Sequence, residues 1–166
     1  MSQPMASKEE QVVVFTLAGE SYGVDIATVH EIIRMQHVTR VPRAPEFVEG
    51  VTNLRGRVIP VVDLRRRFGL AIAENTASTR IVVVEIGDHT IGAVVDSVSE
   101  VLRIPADSIE LPSPVITTVD SDYLRGIAKL DGRLIILLSL DKVLSADNLE
   151  SLSHLRLTAE TAISAA

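Results

Sequence analysis

Short apolar runs rich in Val and Ile alternate with polar turn residues along most of this chain. β-branched residues favour strands, and Gly in a turn pair accepts a positive φ without steric cost. The pattern therefore predicts a mainly β protein built from hairpins. The predicted strands are Gln11–Leu17, Ser21–Val24, His30–Met35, Gly50–Leu54, Val58–Val62, Arg80–Ile86, Thr90–Val95, Ser97–Ile104, Tyr123–Leu130 and Arg133–Ser139.

The stretch Gly50–Leu70 shows this pattern most clearly. Two apolar runs flank the turn pair Arg55-Gly56, which predicts a tight hairpin. Asp63 is a natural N-cap, and Leu64–Phe68 is predicted as a short helix that ends at a glycine. Most of this stretch is expected to be buried.

The remaining segments are predicted as turns, loops and short helices. Proline restricts itself and the residue before it, which predicts an extended segment around Pro42 and Pro45. Leucines recur at helical spacing near the C-terminus, which predicts a terminal helix. The expected elements are a helical turn at Asp25–Val29, an extended Val41–Pro45, a turn at Glu46–Val48, loops at Ala71–Ser78 and Pro105–Pro114, a short helix at Leu140–Leu144, and a C-terminal helix and tail over 147–166.

The chain contains an internal repeat, which is the most informative feature of the sequence. Gly23–Arg34 aligns without gaps with Gly92–Arg103, and Gly50–Ile59 aligns with Gly126–Ile135. Two copies of a unit of five short strands predict two intertwined five-stranded SH3-like β-barrels that share a hydrophobic core. The copies are placed at approximately 11–70 and 79–146, within one domain over 11–146.

The repeat also separates positions needed for the fold from positions free for function. The apolar frame of the Gly50–Ile59 hairpin is present in both copies, but its polar turn residues are not. The first copy has Asn53 and Arg55 where the second has Lys129 and Asp131. Arg55 is therefore a candidate contact residue, and the alternative is a salt-bridged turn residue.

Composition excludes several classes of function. The chain has no Cys, which removes disulfides, thiol nucleophiles and Cys-based zinc sites. A net charge of −6 argues against broad affinity for nucleic acid or anionic membranes. Residues 1–10 are predicted as a flexible arm without a signal-peptide core, and no apolar run is long enough for a membrane span, so we expect a cytoplasmic protein.

No residue pattern points to catalysis, a cofactor or a metal. The four histidines are scattered and are expected on the surface, and the nucleotide and hydrolase glycine motifs are missing. Asp120-Ser121-Asp122 is interpreted as a turn or cap rather than a cation site. Glu31 and Glu100 occupy equivalent repeat positions and are not expected to work as an acid–base pair. Arg65–Arg67 is interpreted as a solvated helix face, with phosphate binding as the alternative.

Several long motifs resemble the CheW family of chemotaxis coupling proteins. They are VVFTLAGESYGVDI at Val13–Ile26, FVEGVTNLRGRVIPVVDLR at Phe47–Arg65, GAVVDSVSEVL at Gly92–Leu102 and YLRGIAKLDGRLIILL at Tyr123–Leu138. The resemblance covers roughly residues 12–144 and implies two SH3-like barrels, as the repeat does.

The resemblance also implies a function and a site. Members of this family link methyl-accepting chemotaxis receptors to the histidine kinase CheA, whose regulatory domain is itself CheW-like, and they catalyse no reaction. The residues that would border the groove for the helical receptor tip are Val29, Glu31, Asn53, Arg55 and Gly56. Kinase contacts are not assigned to single residues.

Two alternatives remain open at this point. One is a CheW-like scaffold of a non-flagellar chemosensory pathway, which would share the same fold. The other is an SH3-like nucleic-acid-binding module that uses Arg65–Arg67, which the net charge and the scarcity of aromatic residues oppose.

Overall fold

The computed structural model describes residues 8–111 and 123–144, and within them the chain forms two β-sheets and two one-turn helices. The strands are β1 Glu9–Leu17, β2 Glu20–Asp25, β3 Val29–Arg34, β4 Val48–Leu54, β5 Arg57–Asp63, β6 Arg80–Ile86, β7 His89–Val95, β8 Ser97–Pro105, β9 Ile109–Glu110, β10 Leu124–Leu130 and β11 Arg133–Leu138, and the helices are α1 Leu64–Arg67 and α2 Leu140–Val143. No helix of the described residues is long and apolar enough to cross a membrane.

The predicted hairpins are present, and their turns explain why they form. Ala18-Gly19, Arg55-Gly56 and Asp131-Gly132 each place two consecutive residues at positive φ, the geometry of a two-residue hairpin turn that matches strand twist. The predicted helical turn after Asp25 is also present, and the Asp25 carboxylate caps it by accepting a hydrogen bond from Ala27 N.

Three local predictions differ from the structure. β1 begins at Glu9, inside the predicted arm, because Glu9 and Glu10 pair with β8. Val41–Pro45 is not extended throughout: Pro42 and Arg43 form a turn closed by Ala44 N and Val41 O, with Arg43 at φ 64°. The predicted loop after β8 contains β9, which pairs with β10. The predicted C-terminal helix and Asp120–Asp122 lie outside the described residues.

The two barrels do not correspond to the two halves of the sequence, which corrects the predicted division at 11–70 and 79–146. The six-stranded sheet has the order β8-β1-β2-β11-β10-β9, and the five-stranded sheet has the order β3-β6-β7-β5-β4. The six-stranded sheet combines the β1–β2 hairpin of the first half with strands of the second half. The five-stranded sheet combines the β6–β7 hairpin of the second half with strands of the first half. The halves are therefore intertwined by strand exchange.

The two copies of the repeat have equivalent strand registers and bulges, although their strands are exchanged between the sheets. The parallel pairs β11·β2 and β5·β7 have equivalent registers, since Leu137 pairs with Gly23 and Val61 pairs with Gly92. Both long hairpins carry a β-bulge at the same place, before Gly50 in β4 and before Gly126 in β10. The repeat therefore records one strand pattern used twice, as the alignment predicted.

Each sheet curls until its two edges approach. In the six-stranded sheet, the edge strands β8 and β9 are joined by one 3-10 turn, Ala106–Ser108. In the five-stranded sheet, the chain after β3 returns to β4, where Thr39 and Val51 exchange two backbone hydrogen bonds of 2.7 and 2.8 Å. This return passes so close to Gly50 that a side chain there would collide with the Thr39 carbonyl.

Apolar side chains form a core inside each barrel and a larger one between them, which confirms the predicted shared core. Ile104 and Ile135 lie inside the six-stranded barrel, and Ile59 and Ile81 lie inside the five-stranded barrel. The cluster between the barrels draws on both sheets and both helices, with Leu64 of α1 and Leu140 of α2 among its buried members.

All five aromatic residues of the chain belong to this shared core. Phe15, Tyr22, Phe68 and Tyr123 form a continuous row, with neighbouring ring centroids 5.9, 6.1 and 6.0 Å apart. The Arg67 guanidinium lies 4.8 Å from the Phe47 ring centroid and 5.3 Å from that of Tyr123. Such contacts between a cation and aromatic faces stabilise the packing of α1 on the opposite barrel.

The arginines of α1 are half-buried and contact other parts of the protein, which corrects the interpretation of Arg65–Arg67 as a solvated face. Arg66 Nε lies 3.4 Å from Asp63 Oδ2. Arg67 Nε donates to Val143 O at 2.8 Å. Arg65 forms a bidentate pair with Asp96, with Nε–Oδ1 2.7 Å and Nη2–Oδ2 2.5 Å. Asp96 Oδ2 also accepts from Ala18 N at 2.9 Å, so this carboxylate joins α1 to a turn of the other sheet.

The hydrogen bonds from Arg65 hold the pKa of Asp96 below its ordinary value, and the bond from Ala18 N adds to this effect. The stability that the lowered pKa contributes is fully present above the ordinary aspartate pKa. It is lost as the pH falls through the lowered value, because the protonated carboxyl no longer pairs with Arg65.

Asp96→Asn should lower the free energy of unfolding at pH 7 by about 1–3 kcal/mol, because it removes the charge and places an NH2 group against an N–H donor. Urea denaturation would measure this loss, with Asp131→Asn in an exposed hairpin turn as the control. The difference from wild type should shrink as the pH falls below about 4. Acid unfolding curves that stay parallel for the two proteins would contradict this account.

Candidate functional site

The turn between β4 and β5 projects polar groups from the five-stranded barrel. Arg55 has φ 52° and Gly56 has φ 86°, so the turn depends on glycine at its second position. Gly56 N donates to Asn53 Oδ1 at 2.8 Å, and this bond fixes both the turn and the Asn53 side chain. Asn53 therefore has a local structural role besides the contact role predicted for it.

Arg55 reaches across the closing seam of this barrel to Glu31 on the edge strand β3. The pair is bidentate, with Arg55 Nη2 2.7 Å from Glu31 Oε1 and Nη1 bonded to Oε2. The Arg55 side chain is 70% exposed and that of Glu31 is 19% exposed. The pair uses two of the five guanidinium N–H groups, which leaves the rest directed to solvent.

The electrostatics of the pair follow from this geometry. The Arg55 hydrogen bonds lower the pKa of Glu31, with smaller contributions from the charges of Arg55 and His30. The same hydrogen bonds raise the pKa of Arg55. Both groups are therefore charged across the physiological pH range.

The structure brings four of the five predicted residues together. Glu31, Asn53, Arg55 and Gly56 are linked by the ion pair and the turn bond. Val29 lies at the start of β3 on the other side of a β-bulge, and its side chain packs against the shared core. Its predicted place at the border of a groove stays a prediction.

His30 is the residue displaced by that bulge, and it lies beside the ion pair. Its Nε2 is 3.7 Å from Glu31 Oε2, and its Nδ1 is 3.6 Å from Glu85 Oε1. The imidazole thus stands between two carboxylates on the outer face of the barrel. This position agrees with the predicted surface location of the histidine.

The second barrel has a counterpart of the Glu31–Arg55 pair, which the sequence comparison missed. Glu100 is equivalent to Glu31, and it pairs with Arg133 at 2.9 Å. Arg133 follows its turn, whereas Arg55 lies within its turn. A charged pair between the edge strand and the hairpin is therefore common to both barrels. What is particular to the first barrel is the arginine at the apex of the turn.

Two further polar residues support the turn, and the sequence analysis did not single them out. Gln36 Nε2 donates to Thr52 Oγ1 at 2.8 Å and to Asn53 O at 2.7 Å. Thr52 Oγ1 in turn donates to His37 O at 2.7 Å. The repeat could have identified Thr52, because this polar residue is replaced by Ala128 in the second copy. Nothing in the sequence singles out Gln36.

The site consists of an exposed guanidinium and a hairpin turn beside a small cavity. A cavity of about 280 Å³ adjoins Asn53 and is lined by residues that include Gln36, Val51 and Val58. Among residues 8–111 and 123–144, no group of three or more His, Asp or Glu side chains could hold a metal ion.

Comparisons with known proteins identify the family of this chain. Residues 11–148 match the CheW-like domain. The chain is 38% identical over 143 residues to the chemotaxis protein CheW of Klebsiella aerogenes, covering 84% of each chain, and 36% identical over 139 residues to that of Thermotoga maritima, covering 84% of this chain and 90% of the relative. The crystal structure of the scaffolding protein TtCheW from Thermoanaerobacter tengcongensis superposes with a TM-score of 0.78 at 42% identity, over 85% of this chain and 96% of that chain.

Arg55→Ala should raise the pKa of Glu31 toward the ordinary glutamate value, because the main cause of its lowering is removed. Carboxyl chemical shifts followed by NMR during a pH titration would measure this change. Arg133→Ala, which removes the counterpart pair, should leave the Glu31 titration unchanged. An unchanged Glu31 pKa in Arg55→Ala would mean that the ion pair does not form in solution.

Proposed function

This chain belongs to the CheW-like family, and we propose that it is a non-enzymatic adaptor that couples methyl-accepting chemotaxis receptors to the histidine kinase CheA. The observation that carries the proposal is the match to the CheW-like domain over residues 11–148, which includes both barrels. An adaptor of this kind acts at receptor arrays on the cytoplasmic side of the membrane. It controls the kinase by geometry rather than by chemistry.

The receptor side of this function is assigned to the β4–β5 turn and the neighbouring part of β3. A receptor tip is a helical coiled coil, and a helix binds along a groove through side chains at helical spacing. Asn53, Arg55 and Gly56 form the turn, and Val29 and Glu31 lie on the adjacent edge strand. A carboxylate on the receptor would meet the exposed guanidinium of Arg55 in a charge-assisted hydrogen bond.

The ion pair with Glu31 suits this role because it holds Arg55 in place before the partner arrives. A long exposed side chain loses rotamer freedom on binding, and this loss weakens the complex. Glu31 fixes two N–H groups of Arg55 and leaves its outer edge accessible. The pair therefore orients the arginine for a partner without using up its hydrogen-bonding capacity.

A nucleic-acid-binding function has no support from the described residues. The arginines of α1 that would carry it are engaged with Asp96, with the Val143 carbonyl and with aromatic rings. A role in a non-flagellar chemosensory pathway would use the same adaptor chemistry, so it differs only in which receptor the turn meets.

Arg55→Glu should weaken binding to the cytoplasmic fragment of the cognate receptor at least about tenfold, because it places a carboxylate where a guanidinium is needed and repels Glu31. The fold should persist, since the second copy carries Asp131 at the equivalent position. Affinity would be measured by isothermal titration calorimetry, and receptor control of kinase activity by phosphorylation assays in reconstituted arrays.

Arg133→Glu is the matched control, because it reverses the charge of the counterpart pair in the other barrel. It should leave receptor affinity within about twofold of wild type, as expected for a charge change outside the contact surface. Binding to CheA should be retained by both variants. Normal receptor coupling by Arg55→Glu would refute the assignment of the site, and wild-type protein that binds neither partner would refute the adaptor function itself.

A further inference from the structure

A polar network that combines the buried Thr52 with the exposed Gln36 lies beside the β4–β5 turn in the five-stranded barrel. It joins the chain that follows β3 to β4 through three hydrogen bonds made by Gln36 and Thr52. Gln36 uses both hydrogens of its amide, one for the Thr52 hydroxyl and one for the Asn53 carbonyl. The Thr52 hydroxyl donates a hydrogen bond to the His37 carbonyl. Each donor in this network therefore has an acceptor on the opposite segment.

The fold itself does not require this network. Thr52 is 3% exposed, and the equivalent residue in the other barrel is Ala128, which is 0% exposed. A buried hydroxyl is costly unless it is hydrogen-bonded, so a methyl group is the simpler solution at this position. The barrel with Ala128 closes the same seam by backbone pairing of β9 with β10, and the side-chain contact there is an exposed pair, Lys129 to Glu110 at 3.1 Å. Such surface pairs are weak.

The network and the Glu31–Arg55 pair hold the same turn from two sides. Gln36 acts on the backbone of Asn53, and Asn53 Oδ1 accepts the Gly56 amide that closes the turn. Glu31 acts on the Arg55 side chain. A receptor carboxylate at the exposed edge of Arg55 competes with Glu31 for the guanidinium and weakens this attachment. The network of Gln36 and Thr52 does not involve Arg55, so it continues to hold the turn.

We propose that Gln36 and Thr52 are positioning residues that keep the Asn53–Gly56 turn in its binding geometry when a carboxylate of the receptor binds the exposed edge of Arg55. This inference rests on the proposed receptor site and adds two residues that do not themselves contact the receptor. It predicts that the network matters for affinity only through Arg55. It also predicts faster motion of the turn when the network is removed, with or without a partner.

The test uses the full chain with two conservative substitutions. Gln36→Met keeps the length of the side chain and removes its hydrogen bonds, and Thr52→Val keeps the shape and removes the hydroxyl. Each should weaken binding to the cytoplasmic fragment of the cognate receptor by about three- to tenfold, the effect of losing one or two net hydrogen bonds. Thr52→Ser restores the hydroxyl and should bind within about twofold of wild type. Lys129→Met is the matched control in the other barrel and should not change affinity.

Two further measurements separate positioning from general stability. In an Arg55→Ala background, neither Gln36→Met nor Thr52→Val should weaken binding further, as a double-mutant cycle would report. Hydrogen exchange of the Gly56 amide should be several-fold faster in both variants without any receptor, whereas exchange of the Gly132 amide in the other turn should be unchanged.

The inference is overturned if folded Gln36→Met binds the receptor as wild type does, or if its loss of affinity persists in full when Arg55 is absent. It is also overturned if Gly56 exchange is unaffected by both substitutions. If the wild-type chain does not bind the receptor, the proposed function fails, and the exchange rate of Gly56 still decides whether the network fixes the turn.

Discussion

Exchange of strands between the two halves is the constraint on which the rest of the structure depends. β1 and β2 complete a sheet whose other strands all come from the second half, and β6 and β7 do the same for the strands of the first half. Neither half can satisfy its backbone hydrogen bonds or bury its apolar strands alone, because the missing neighbours belong to the other. The two barrels and the core between them must therefore form together.

Polar contacts at the junction follow from this exchange. Asp96 ends the β6–β7 hairpin, Arg65 belongs to α1, and Ala18 lies in the β1–β2 turn, and the three meet because hairpins from different halves are interleaved. Arg67 is held in the same way between α2 and the rings of the shared core. Arg65 and Arg67 thus became structural contacts, since the exchange brings acceptors from distant segments to α1, whereas Arg66 pairs locally with Asp63.

The fold was largely predictable from the sequence, while the pairing of its strands was not. Val and Ile runs, glycine turns and the repeat specify hairpins and their number, which are local properties. Which hairpin joins which sheet depends on contacts such as Arg125 with Glu10, between residues far apart in the chain. At the site, comparison of the two repeat copies singled out Arg55, because the equivalent residue in the second copy is Asp131. It could not reveal Gln36, whose role arises from a return of the chain to β4 that no local pattern encodes.

The row of aromatic rings has a practical consequence for spectroscopy. The chain contains no Trp, and both tyrosines, Tyr22 and Tyr123, lie in the row at the interface of the barrels. Near-ultraviolet circular dichroism and intrinsic fluorescence of this protein therefore originate at that interface alone. A change in either signal would report how the barrels pack against each other, with no contribution from the hairpin turns.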